Sequence, residues 1–278
     1  MNNVTLMHLL TLLSLFFLVF ISAQLSAAQA RDVITYNTYP PVAFIDESTK
    51  QVDGPVAALI EAINKELKQD VLFQFNPLPR MFVELEAKRS HAAFNMSYNA
   101  ERAKKWYYSL PVHVVNYGVF VKKENKLDYK NRSQLSGLTI ATYGPTNMSK
   151  KVEKFARELP GSRVVIENSF EHVFKMLEAN RFDRNGVVYV PDVVGFDTIN
   201  EFNLQNVRYA GPDIKNLYYV IFVKDTVSEY YVKAFNHVLM KFHRDGTLAE
   251  IYARYKGAVT ANVPALEDMK AVPGQSAY

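Results

Sequence analysis

The segment Tyr98-Asn-Ala-Glu-Arg-Ala-Lys-Lys-Trp-Tyr-Tyr-Ser-Leu-Pro111 places an arginine in the first turn after a helix-starting residue. Asn99 suits an N-cap, and Glu101 suits the first turn, where unpaired N–H groups and the positive end of the macrodipole favour negative charge. Arg102 does not suit that turn unless it and the free N–H groups converge on a carboxylate or similar anion. A guanidinium can offer such a ligand two parallel hydrogen bonds. The competing reading pairs Arg102 with Glu101 or another acid, or leaves it in water, and the window alone leaves both open.

Other chemistries find little support. His91, His113, His172, His237 and His243 lack the i, i+4 or paired spacing of a zinc site, and no acidic loop resembles a calcium site, so neither metal nor cofactor is expected. There is no Gly-x-Ser-x-Gly elbow and no phosphate loop. The chain has no cysteine, which excludes thiol chemistry, disulfides and a lipoprotein attachment site. Basic clusters such as Arg102-Ala-Lys-Lys105, Lys122-Lys123 and Lys150-Lys151 are short or interleaved with acids, and the net charge is only +4, so nucleic acid is not an expected partner. The 17 Tyr and 18 Phe could build a carbohydrate platform, but core and cleft lining is the simpler use.

The elements that must position these residues alternate. Val33 to Tyr36 and Val71 to Phe75 are rich in β-formers, and Val56, Leu59, Ile60, Ile63 and Leu67 between them mark one face of a helix. Strands are predicted at Val114 to Val121, Leu138 to Thr142, Val164 to Ile166, Gly186 to Val190 and Leu217 to Val223. Helices are predicted from about Asn147, across Phe170 to Leu177, across Val232 to Phe242, and after an Asp245-Gly246 turn. Such alternation argues for α/β architecture with parallel strands covered by helices. Leu9 to Ile21 is apolar and is followed by Ala28-Gln-Ala30, so residues 1–30 read as a signal peptide cleaved after Ala30. The run is shorter than the ~20 apolar residues of a spanning helix. Residues 259–278 show little periodicity and read as a loose tail.

The order and spacing of several landmarks resemble the bacterial extracellular solute-binding proteins of family 3, the polar amino-acid-binding type of periplasmic receptor. They are Tyr39-Pro-Pro-Val-Ala-Phe44 with Gly54, Asn95-Met-Ser-Tyr-Asn-Ala-Glu-Arg102, Tyr108-Ser-Leu-Pro111, Gly137 to Thr146, and Asp245 to Tyr255. The resemblance implies an α/β, periplasmic-binding-protein-like (type II) fold, with two lobes joined by two crossing strands and a ligand cleft between them. The crossings would fall near Tyr117 to Val121 and Leu217 to Val223. Lobe one would comprise residues 31–118 plus 220–258, and lobe two residues 119–219. The resemblance further implies a periplasmic monomer that captures a small polar, carboxylate-bearing solute for an inner-membrane permease of an ABC transporter or for a sensor.

Matched residue by residue, Arg102 resembles the arginine that grips a ligand carboxylate, with Met96, Ser97 and Asn99 as its partners. Tyr39 and Phe44 resemble the aromatic wall. Gly144 and Thr146 resemble a glycine-threonine helix start that supplies further donors, and Pro145 fits either a missing donor there or the first helical position. Where amino-acid binders carry an acid for the ligand's ammonium, this chain has Tyr189 or Val190, with Asp192 out of register. A phenol cannot neutralise an ammonium, so simple α-amino acids are disfavoured. Arg80 faces the cleft or sits at a helix start on the surface. His91, in a commonly acidic position, reads as a packing or surface group. An enzyme on the same scaffold, dehydratase-like, is the alternative; Glu101, Asp46, His113 and Asp192 are its candidate acids and bases, and they form no recognisable dyad in sequence.

Overall fold

The computed structural model describes residues 32–36 as backbone, and residues 42–183, 185–255 and 261–277 in full. The expected signal peptide and Tyr39 lie outside the described residues. From Val33 onward the chain packs as one unit, and among the described residues no helix is long and apolar enough to cross a membrane.

The first part runs β1 (Asp32–Tyr36), a short hairpin of β2 (Phe44–Ile45) and β3 (Val52–Asp53), α1 (Pro55–Glu66) and β4 (Val71–Phe75). It continues with α2 (Leu78–Glu86), β5 (Ala92–Ser97), α3 (Ala100–Lys105) and β6 (Trp106–Tyr108). Pro55 starts α1 with a preset φ, and Val56, Leu59, Ile60 and Ile63 form its buried stripe, as the 3.6-residue spacing demands. After β7 (His113–Lys122) come β8 (Thr139–Tyr143), α4 (Asn147–Ala156), β9 (Arg163–Glu167) and α5 (Phe170–Glu178). Then follow β10 (Val187–Pro191), α6 (Asp192–Glu201) and β11 (Val207–Val223). The final helices are α7 (Glu229–Asp245) and α8 (Thr247–Ala253), separated by Gly246 at φ 89°, a left-handed position that suits glycine.

One sheet runs through the molecule in the order β4-β1-β5-β11-β7-β10-β8-β9, with β6 also paired to β11. Within it β1 and β5 are parallel, as are β10 with β8 and β8 with β9. The two strands that join the lobes, β7 and β11, are antiparallel and pair from Val207–Lys122 to Tyr218–His113. The lobes have separate cores. One holds Val119, Phe120, Val152, Phe174 and Val188, and the other holds Leu59, Phe94, Phe222, Phe235 and Leu239. Val115, Tyr117 and Tyr218 already pack with the first core, whereas Val112 and Val220 belong to the second. The packing therefore changes hands on β7 a few residues before the expected crossing.

β11 is 17 residues long, and only its apolar end, Leu217 to Val223, was legible as strand. Its first half carries Gly211, Pro212, Asp213 and Lys215, a composition that reads as loop. Register shifts between Tyr209 and Gly211 and between Pro212 and Ile214 let these residues stay in the sheet. Helix α6 was missed as well. Its apolar residues run consecutively as Val193-Val194, and Gly195 lets the helix approach so closely that a Cβ there would lie 2.1 Å from the Phe120 ring.

The C-terminal residues depart from the expected loose tail. A backbone bond links Val114 to Asn262, Lys215 pairs with Asp268 at 2.7 Å, and Met269 and Val272 are buried. The Gln275 side chain accepts from the Tyr108 N–H at 2.7 Å and donates to the Trp106 carbonyl at 3.1 Å. Apart from the buried Met269 and Val272 these are single polar contacts without a repeat, so no periodic signal announces them.

Candidate functional site

Asn99 caps α3 by accepting from the Arg102 N–H at 3.0 Å. Glu101 does not pair with Arg102; it takes Lys104 at 2.7 Å instead. The Arg102 guanidinium lies 4.5 Å over the Phe82 ring. Among the described residues no carboxylate stands within ion-pairing distance of it. Burial pulls its pKa below the ordinary arginine value, partly opposed by the nearby Tyr108 hydroxyl. The sequence left open an arginine that meets a ligand anion and one that pairs with an acid or lies in water; among the described residues the pairing with an acid is absent.

Arg102 opens onto a cavity of about 60 Å³ between the lobes. Asn95, Met96 and Ser97 at the end of β5 form one wall, with Leu78 from α2. Tyr143, Thr146, Asn147 and Met148, together with Phe170, form the opposite wall. Tyr117, Tyr218 and Pro191 close the base. The Tyr117 and Tyr218 hydroxyls are 3.1 Å apart, and Asn216 Nδ2 donates to the Tyr117 oxygen at 3.1 Å. Asn147 spans the gap, donating from Nδ2 to Ser97 Oγ at 3.1 Å and accepting at Oδ1 from Asn99 Nδ2 at 3.1 Å. Strand ends, a helix start and two crossing strands thus converge, the arrangement expected of a ligand crevice in α/β sheets.

Of the residues expected at the site, Arg102, Met96, Ser97 and Thr146 line the cavity. Asn99 stands behind them as cap and as partner of Asn147. Phe44, on β2, is not on the wall. Arg80 is not either: its Nε meets Glu84 at 2.5 Å one turn on and its side chain is 59% exposed, which fits the surface helix-start reading. The N–H groups of Gly144 and Thr146 themselves are engaged within the chain. Gly144 N donates to the Glu167 carbonyl at 2.9 Å, and Thr146 and Ser149 form a closed capping box, with Thr146 N on Ser149 Oγ at 2.9 Å. Pro145 precedes the cap and so does not occupy the first helical position.

Tyr189 also faces elsewhere. It is 1% exposed, packs on Phe155, and donates to Asp213 Oδ2 at 2.5 Å. Burial foremost, then the Asp213 carboxylate, pushes its pKa far up. Tyr189 packs within the lobe-two core, and Pro191, two residues on at the strand end, lines the cavity. Asp192 is committed to Asn116 Nδ2 at 3.0 Å and to the Val193 N–H at 2.8 Å. Asp46 is held in its own turn, where the Ser48 and Thr49 donors lower its pKa to about 2. The sequence reading missed Asn95, Tyr117, Tyr143, Asn147, Phe170 and Tyr218. Tyr117 and Tyr218 had a signal in their place on the predicted crossings; the others had none at the level of type and spacing.

Solved structures with the same fold include a histidine kinase sensor domain with similarity to periplasmic binding proteins, 20% identical over 84% of this chain and 98% of that one, TM-score 0.69. A mutant of ArgBP from T. maritima is 19% identical over 82% and 96%, TM-score 0.67. The substrate-binding protein of an amino acid ABC transporter is 20% identical over 82% and 99%, TM-score 0.64. None of the curated proteins matches the chain. The model of the bacterial extracellular solute-binding proteins, family 3, matches residues 32–258. With that match over most of its length, and with two α/β lobes, two crossing strands and a cleft between them, the chain belongs to the bacterial extracellular solute-binding proteins, family 3.

Proposed function

We propose that this protein captures a small, carboxylate-bearing solute in the interlobe cavity of a periplasmic receptor and presents it to an import permease or a sensor. The observation that carries this is Arg102, half-buried, stacked on Phe82 and without a counter-ion among the described residues. A guanidinium desolvated in that way gains most from a ligand that supplies the missing charge. Closure follows from a ligand that touches Met96 and Ser97 on one lobe and Asn147 and Phe170 on the other, because it binds the closed form better than the open one. The moving halves meet on β7 near Val115 to Tyr117 and on β11 near Leu217 to Tyr218, close to the 118/119 and 219/220 boundaries read from the sequence.

Binding is favoured over the dehydratase-like alternative because the described cavity wall carries no histidine and no acid to move a proton. The candidates for that role are engaged or distant: Glu101 with Lys104, Asp192 with Asn116, Asp46 in its turn and His113 in the interior. The likeness to a histidine kinase sensor domain supports sensing as a second destination for the bound solute.

Calorimetric titration with a panel of small carboxylic acids tests the proposal. A binding acid is expected, and Arg102→Ala is expected to weaken it at least tenfold, since a charged hydrogen bond to a buried ligand is worth ~1.5–3 kcal/mol. Unchanged affinity in that variant would remove Arg102 from the site.

A further inference from the structure

Asn95 is 7% exposed, yet neither its Oδ1 nor its Nδ2 has a hydrogen-bond partner, and the residue lines the cavity beside Arg102. A buried amide in that condition is costly unless something else completes it. Its backbone is unusual too, with φ 64° in the left-handed region. The cause lies in the sheet. β5 pairs with β11 at Ala93–Ile221 and at Met96–Tyr219, so Phe94 and Asn95 together oppose Val220 alone. This is a bulge, and bulges re-aim one side chain out of the regular alternation. Here Phe94 goes fully into the core and Asn95 goes to the cavity. Non-glycine residues held in this region tend to mark functional positions, and asparagine tolerates it better than most.

The rest of the described wall is neutral. Ser97, Tyr117, Tyr143, Thr146, Asn147 and Tyr218 are its polar residues, Arg102 is its one charge, and no carboxylate lines it. A ligand amine would meet that guanidinium's field with nothing to offset it. An amide, by contrast, supplies one acceptor and one two-hydrogen donor side by side. The space allows about four to six water-sized volumes at ~10–15 Å³ each, so the ligand is a few heavy atoms long.

We infer that Asn95 is a specificity-determining residue that selects a small monocarboxylate whose second polar group is neutral and both donates and accepts, a hydroxyl or a carboxamide, over the matching amino acid. This rests on the carboxylate reading above and adds the class of acid.

The test uses the purified full chain and matched acids on two- to five-carbon skeletons: the unsubstituted acid, the 2-hydroxy acid, the 2-amino acid, and the short carboxamide acids malonamate and succinamate. At least one hydroxy or carboxamide acid is expected to bind tenfold or more tighter than the amino acid and the unsubstituted acid of its length. Asn95→Gly, which keeps the left-handed backbone without strain, is expected to erase the advantage over the unsubstituted acid. Amino acids that bind as tightly as the neutral acids, or an advantage that survives Asn95→Gly, would overturn this inference and leave the carboxylate reading standing. Failure of every acid to bind would overturn both.

Discussion

Two arginines in this molecule sit in nearly the same local setting and have opposite fates. Arg102 lies 4.5 Å over Phe82 and Arg132 lies 4.6 Å over Phe155, each early in a short helical turn. Arg132 then reaches Asp213 with Nε at 3.0 Å and a terminal nitrogen at 2.8 Å, and the same carboxylate accepts from Tyr129 at 2.6 Å and Tyr189 at 2.5 Å. Burial would lower the Arg132 pKa, but the hydrogen bonds and charge of Asp213 outweigh it and the net shift is upward. Among the described residues Arg102 has no such partner, and its shift is downward. The ring under a guanidinium therefore says little about its use. What separates a structural arginine from a binding one here is whether the fold itself supplies the anion.

This contrast has a direct energetic consequence. Asp213→Ala removes the acceptor of two tyrosine hydroxyls and a guanidinium, and is expected to lower unfolding free energy by ~2–4 kcal/mol. Arg102→Ala in the unliganded protein is expected to change it by less than about 0.5 kcal/mol, or to stabilise, because it removes a desolvated charge that the fold does not neutralise. Urea unfolding of both variants without ligand measures the difference. A loss in Arg102→Ala as large as in Asp213→Ala would mean that Arg102, too, belongs to the structure.

Acid provides a second way to separate the regions. Burial holds the His113 pKa down at about 4, against an ordinary value of 6.5, while Nδ1 accepts from the Asn262 N–H at 3.0 Å. Between pH 6.5 and 4 the unfolded chain takes up a proton that the native ring refuses. Stability from this group is therefore complete above pH 6.5 and falls as pH drops, by about 3 kcal/mol at pH 4. Asp197 acts in the opposite sense. Burial, then the charge of Glu201, raises its pKa to about 6, so its contribution is complete at acid pH and fades as pH rises through that value. His113→Gln is expected to flatten the acid-side loss in urea midpoints recorded from pH 7 to 5, and an unaltered slope would show that another group carries it.

Legibility followed the range of the interaction. The α1 stripe, the strands β4, β7, β8 and β9, and the Asn99 cap in front of Arg102 are set by residues within a turn or a strand of one another, and the sequence shows them. Tyr189 was harder, because β10 is buried along its whole length and the Asp213 carboxylate that takes the hydroxyl lies on another strand, so type and spacing do not say whether that hydroxyl meets the cleft. Asn95 was out of reach: it is aimed by a bulge that exists only in the pairing of β5 with β11, more than a hundred residues later. The same holds for the docked C-terminal residues, whose partners His113, Trp106 and Tyr108 are equally remote in the chain.

The smallest expected effect concerns the latch across the binding region. Asn147 donates to Ser97 and accepts from Asn99, so the closed cleft is held by two neutral hydrogen bonds that an open cleft would exchange for water. Bonds of this kind are worth ~0.5–1.5 kcal/mol each after that exchange. Their loss in Asn147→Ala is expected to shift the unliganded protein toward the open form by a factor of about 5 to 150, with no change in unfolding free energy on the scale of Asp213→Ala. Small-angle scattering reads the shift as a larger radius of gyration without ligand, restored by saturating acid. Affinity for the acid is expected to fall by no more than the same factor, because a ligand that binds the closed form must now draw it from a smaller population. A variant that scatters like the parent and binds like it would show that closure rests on Tyr117, Tyr218 and the apolar walls, and that the asparagine only fills a gap between them.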